Sequence, residues 1–149
     1  MDHMGYRFPL FIDLNGKKAV VIGGGTIALR RVNVLLSFGA QVTIIAPECN
    51  DVPKGAVFLK RPYQPGDLAG AFLAVAATDC RAVNYQVGQE ANAAGIFVSV
   101  ADRKEESTFF FPAICTGNGL VAGVVSQGEE HKKTAAAARK IRTVLEEFK

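Results

Sequence analysis

The chain contains no tryptophan, two histidines and three cysteines among its 149 residues, and its 17 basic and 14 acidic residues leave a net charge of only +3. These scarcities exclude several classes of function. Cys49, Cys80 and Cys115 are odd in number and widely spaced, which fits neither a disulfide framework nor a CxxC metal site and implies a reducing compartment. With His3 near the terminus and His131 in a polar stretch, no zinc-type cluster and no Ser/His/Asp constellation can be assembled, so no metal site is expected. The densest basic stretch, His131-Lys132-Lys133 with Arg139, Lys140 and Arg142, reads as a solvated helix face rather than a nucleic-acid surface. The longest apolar runs, such as Ala19 to Ile22 and Ala71 to Ala77, fall far short of the roughly 20 residues that cross a bilayer, so no membrane partner is expected. The start of the chain lacks the basic cluster and long apolar stretch of a secretory signal, and a cytoplasmic location is expected.

What is present is the grammar of an α/β protein. With 49% hydrophobic and 21% charged residues the chain can bury a core. Lys18 to Ile22 reads as a strand buried on both faces, Gly23-Gly24-Gly25 ends it, and Thr26 to Phe38 has helical periodicity with Gly39 at the C′ position. Gln41 to Ala46, closed by Pro47, completes a βαβ unit. Further strands are predicted at Ala56 to Leu59, Phe72 to Ala77 and Ile96 to Val100, with a helix from Cys80 to about Ala94 and Asp67 capping a short turn. Five strands alternating with helices predict a Rossmann-type doubly wound parallel sheet. After Asp102 the pattern changes to two β-rich stretches, Thr108 to Cys115 and Leu120 to Ser126, around the turn Thr116-Gly117-Asn118-Gly119, and then to a helix from about Thr134 to Phe148. A hairpin apolar along both arms, added after the sheet is complete, predicts pairing into a homodimer. The expected division is an NAD-binding domain over residues 1–102 and a dimerisation hairpin and helix over 103–149.

The glycine run carries the most chemistry. Gly23-x-Gly25-x-x-Ala28 matches the dinucleotide fingerprint and lies between a predicted strand and a predicted helix. Gly23 permits the tight turn, Gly25 lets backbone approach a pyrophosphate, and Ala28 allows close packing, while N–H groups near Thr26 and Ile27 face the anion. A tight turn that binds nothing is the bland alternative. The acid that usually holds the ribose would stand at Ala46, but Glu48 just beyond can serve, and no Arg or Lys stands there to take a 2′-phosphate; NAD is therefore favoured over NADP. Asp79 and Asp102 end two parallel strands at the edge where such sheets bind ligands, although an Asp after a strand is more commonly a cap.

Taken together, the motifs resemble the N-terminal family of siroheme synthases, the NAD-dependent precorrin-2 dehydrogenases and sirohydrochlorin ferrochelatases. The likeness runs from Phe8-Pro9-Leu10-Phe11-Ile12 through Gly23-Gly24-Gly25-Thr26-Ile27, Ala76-Ala77-Thr78-Asp79 with Asn84, and Val98-Ser99-Val100-Ala101-Asp102 to Phe111-Pro112-Ala113 and Ala138 to Arg142. The resemblance implies cofactor contacts at Gly23, Gly24, Gly25, Thr26, Ile27, Pro47, Glu48 and Thr78, with Asp102 as the essential carboxylate. It implies oxidation of precorrin-2 to sirohydrochlorin with hydride passing to NAD⁺, and in some members insertion of Fe²⁺ as a second substrate. Asp102 would act as general base or steer metal and substrate. Ser126 matches a position that is phosphorylated in some relatives and borders the tetrapyrrole site; otherwise it is an ordinary strand-end serine.

Two departures stand out. Where many members read Ser-x-Gly-Gly-x-Ser-Pro, this chain has the longer, charged Ser126-Gln127-Gly128-Glu129-Glu130-His131-Lys132-Lys133. The family's further helical module, which helps enclose the tetrapyrrole, has no counterpart before Lys149. The alternative from another class is a non-catalytic NAD-binding and dimerisation module without the tetrapyrrole part. A short-chain dehydrogenase is set aside, because none of Tyr6, Tyr63 or Tyr85 has Lys four residues later.

Overall fold

The computed structural model describes residues 5–128 and 130–148. They form two units, one spanning Ile12–Phe110 and the other combining the segment up to Phe11 with the chain from Phe111 onward. The first unit holds β1 (Lys18–Ile22), α1 (Thr26–Ser37), β2 (Gln41–Ala46), β3 (Val57–Lys60), β4 (Leu73–Ala76), α2 (Arg81–Ala94) and β5 (Phe97–Val100). Its strands are all parallel in the order β3-β2-β1-β4-β5. Chain order reverses between β1 and β4, so a crevice is expected outside the carboxyl ends of these two strands. In the register Val21 stands between Ile44 and Val75, and β1 and β4 are buried on both faces, which is why their sequences run apolar without alternation. Past the end of α1, Gly39 takes a left-handed φ of 86° and the Gly39 and Ala40 N–H groups return to Leu36 O and Leu35 O, the expected glycine termination.

The expected alternation of strands and helices holds for two of the four crossovers. After β2 and after β3 the chain runs as loop, because Pro53, Pro62 and Pro65 with Gly55, Gly66 and Gly70 oppose helix there. Leu68 fills the space a crossover helix would cover: it is fully buried and clusters with Val20, Ile22 and Ile45. The loop is pinned from α2, where Glu90 accepts hydrogen bonds from the Gly66 and Leu68 N–H groups, each at 3.0 Å, and from the Tyr63 hydroxyl. Burial and that carboxylate together raise the Tyr63 phenol above its ordinary pKa. Asp67 caps the turn as expected, accepting the Gln64 N–H at 2.7 Å, and its ion pair with Arg61 holds its carboxyl below the usual range.

The boundary expected after Asp102 falls instead at Phe110. Residues 107 and 108 are stitched to the edge strand: Val100 N–H donates to Ser107 Oγ at 2.8 Å, Val98 N–H donates to Thr108 Oγ1 at 2.9 Å, and Thr108 N–H returns to Val98 O. These side chains satisfy an otherwise open strand edge, so Thr108 covers β5 and does not start a hairpin arm. Residues 104–106 form a single 3₁₀ turn. The N-terminal segment, expected within the nucleotide domain, groups with the other unit, where Arg7 Nη1 donates to Gln127 O.

In that second unit β6 (Ala113–Gly117) pairs antiparallel with β7 (Leu120–Val124) around Asn118 and Gly119, both with positive φ, a tighter turn than the four-residue one expected. α3 (His131–Glu146) starts a turn earlier than expected and buries Cys115, Ala138 and Leu145 against the hairpin. Leu120, Val121, Val125, Val144 and Phe148 stay exposed. No helix among the described residues is long and apolar enough to cross a membrane.

Candidate functional site

The glycine loop is locked to the ends of two neighbouring strands. Gly23 has φ 130°, and a Cβ there would overlap the carbonyl oxygen of Ala77 and lie 2.7 Å from its carbon. A Cβ on Gly24 would overlap the carbonyl oxygen of Glu48 and lie 3.0 Å from Cys49 Cβ. These two glycines therefore serve close backbone packing. Gly25 differs: it has an extended backbone, a Cβ would meet nothing within 4 Å, and open space lies above it. It is the N-cap of α1, whose first turn carries no acidic residue and no side-chain cap, so the helix presents its positive end uncompensated. Thr26 and Ile27 are exposed in that turn, and the buried Ala28 packs into the core. The cradle is of the kind that takes a pyrophosphate.

Pro47 and Glu48 lie exposed just past β2. Two bases come beside this strand end: Lys60, the register partner of Ala46, and Arg61, whose N–H donates to Ala46 O at 3.0 Å. Its guanidinium is committed to Asp67, with both nitrogen–oxygen distances at 2.9 Å.

Thr78 is held by Asn84, the one fully buried polar side chain among the described residues. Asn84 Oδ1 accepts from the Thr78 N–H at 3.0 Å and from its hydroxyl at 2.7 Å, and Asn84 Nδ2 donates to Thr78 O at 3.0 Å. Thr78 Oγ1 in turn accepts from the Cys80 N–H, fixing the entry to α2. Asn84 stands in the family motif with no task legible from its neighbours in the chain. Its signal was there: an asparagine inside a helix is a poor helix former and needs another reason. Asn84→Ala is expected to cost about 1–3 kcal/mol of stability, read by urea denaturation, because the half-buried Thr78 groups lose their partner.

Asp102 follows β5, the neighbour of β4, at the same carboxyl edge. Its Oδ1 accepts from Arg81 Nη1 at 2.9 Å, and the same guanidinium reaches Glu106 through Nη2. Neither Arg81 nor Glu106 was singled out from the sequence. Gly88, two turns along α2, serves the packing of that helix on β5: a Cβ there would lie 3.3 Å from Val100 Cγ2, whereas Glu106 Oε1 at 3.9 Å would be in ordinary contact. Asp79 is exposed on the β4–α2 turn that Thr78 organises. Ser126 belongs to the other unit, where its Oγ donates to Gly128 O at 2.6 Å and accepts from the Glu130 N–H in the turn before α3.

This edge of the sheet can be set beside known proteins. A family model described as "Putative NAD(P)-binding" matches residues 10–113. The chain belongs to this family. It is 42% identical over 150 residues to the probable multifunctional siroheme biosynthesis protein HemA of Ruminiclostridium josui, covering 96% of this chain and 29% of the relative. It is 39% identical to siroheme synthase 2 of Aeromonas salmonicida, covering 87% of this chain and 27% of the relative, and 39% identical to a siroheme synthase of Pseudomonas aeruginosa, covering 93% and 30%. The chain thus spans about three tenths of the length of these curated relatives. Among solved structures it is similar to "SirC, precorrin-2 dehydrogenase", with a TM-score of 0.76 and 24% identity over 95% of this chain and 72% of that one, a likeness of fold. The motif-based resemblance and the names of the relatives agree.

Proposed function

We propose that the protein is an NAD-dependent precorrin-2 dehydrogenase that forms sirohydrochlorin on the way to siroheme. The observation that carries this reading is the carboxyl edge of the sheet, which combines an open, uncapped helix start above Gly25 with a carboxylate, Asp102, two strands away from β1. The siroheme names of the relatives give the substrate class. In this reading the N–H groups of Thr26 and Ile27 hold the pyrophosphate, Gly23 and Gly24 keep the loop tight against β4 and the β2 exit, and Thr78 and Pro47 flank the nucleotide. Glu48 takes the ribose hydroxyls. Of the two bases at this strand end, Lys60 and Arg61, the second is tied to Asp67 and is not free for a 2′-phosphate; Glu48 at the ribose position favours NAD over NADP. Bound NAD⁺ supplies the hydride acceptor. Asp102 receives the proton that the substrate loses, at Oδ2, since Oδ1 already accepts from Arg81.

Pairing of two copies through the hairpin is part of the proposal, supported by the exposed Leu120, Val121 and Val125 on β7 and just beyond it. Sedimentation should give twice the mass of the chain.

The test is an anaerobic assay with precorrin-2 and NAD⁺, in which sirohydrochlorin absorbance should appear; adding Fe²⁺ reads onward conversion to siroheme. NAD⁺ binding without turnover at high protein concentration would instead favour a non-catalytic binding module. Gly25→Val should weaken NAD⁺ binding at least tenfold by calorimetry, on the order of 1.4 kcal/mol or more, because the branched side chain fills the open cradle. Unchanged affinity would place the nucleotide elsewhere.

A further inference from the structure

We infer that Arg81 is a positioning residue for Asp102, an assignment that rests on the dehydrogenase reading. Arg81 is the first residue of α2, where a cation opposes the helix dipole and where the turn holds no acid to offset it. Helix formation therefore does not explain the residue. Its guanidinium forks between two carboxylates from different elements, Asp102 Oδ1 at 2.9 Å beyond β5 and Glu106 in the 3₁₀ turn. Stability does not explain the Asp102 arm of the fork either: the Arg81 and Asp102 side chains are 36% and 38% exposed, and ion pairs this accessible contribute little.

What a forked guanidinium does supply is direction. Each carboxylate takes one N–H bond from the planar guanidinium, so Asp102 is held through Oδ1 alone, along a donor direction that the rigid plane fixes and a rotating lysine ammonium does not. Arg81 is itself held at both ends. The backbone at the start of α2 is set by the Asn84–Thr78 bonds, and the second tooth is anchored on Glu106 in the 3₁₀ turn. Asp102 lies on an exposed turn and would otherwise sample several rotamers. With Oδ1 held, Oδ2 is the oxygen presented for proton transfer. In the reaction the substrate loses one hydride, taken by NAD⁺, and one proton, which bonds to Asp102 Oδ2; Arg81 exchanges nothing.

Arg81→Met should lower kcat roughly 10- to 100-fold, the scale of a misplaced catalytic group, while KM for precorrin-2, the affinity for NAD⁺ and the thermal midpoint hold. Arg81→Lys should recover part of the loss, since it restores the charge without the fork. Side-chain ¹⁵N NMR gives a readout free of activity: Arg81 should show separate, slowly exchanging Nη signals that merge in Glu106→Ala. Several results would overturn the assignment. A KM raised tenfold with kcat kept would make Arg81 a substrate-binding group. An Arg81→Met variant with wild-type kinetics, or averaged Arg81 signals in the wild type, would remove the fork from function. A wild type without any turnover sinks the dehydrogenase reading and the role built on it, whereas an active wild type with an unaffected Arg81→Met variant sinks the role alone.

Discussion

Gly23→Ala is expected to destabilise the protein by about 2–4 kcal/mol and to abolish nucleotide binding, the larger effect of any single methyl group in the loop. Two penalties coincide at this position. The φ of 130° is one that L-residues rarely adopt, and the new Cβ would overlap backbone rather than a side chain that could rotate away. The obstructing carbonyl belongs to Ala77, whose own N–H donates to Ile22 O at 2.9 Å, while Gly23 N–H donates to Ile45 O at 3.0 Å. Relief would therefore require moving three parallel strands, β1, β2 and β4, whose ends next to the loop are buried. Chemical denaturation checks the stability loss and calorimetry the affinity. A loss below about 1 kcal/mol would show that the strand ends yield. The contrast with Gly25→Val is the diagnostic: that substitution meets open space and should spare the fold while removing the cofactor.

Asp102→Asn should reduce kcat roughly 10²- to 10⁴-fold in the anaerobic assay, the usual scale for removing a general base. The substitution is chosen because Asn Oδ1 can still accept from Arg81 Nη1, so the fork and the turn persist while the second oxygen, and with it the proton acceptor, becomes an amide. NAD⁺ affinity should hold, because the pyrophosphate cradle is built from backbone on β1 and α1. Retained turnover in Asp102→Asn would take the carboxylate out of the mechanism.

Much of the first unit was legible in the chain. The runs Lys18 to Ile22 and Gln41 to Ala46 became strands within their expected bounds because β-branched residues in a two-sided core leave little choice. Gly39 ended its helix as read. The turn at Asp67 after β3 was legible, but not that Leu68 would plug the sheet face or that Glu90, from a distant helix, would pin the loop. Thr108 looked like the start of a hairpin arm because its neighbours are β-prone; its hydroxyl was claimed by the edge of β5 instead. Such competition between partners leaves no periodic trace.

The sequence by itself determined the parallel sheet, the glycine cradle and the carboxylate candidates, since each depends on local propensity, burial pattern or the conformational range of glycine. Only the tertiary structure decided which glycine meets backbone and which meets open space, that Asn84 secures the Thr78 turn, and that Asp102 shares a guanidinium with Glu106. These are meetings of residues from different elements, and they arise when strand order and helix packing bring side chains together across gaps that sequence spacing does not encode.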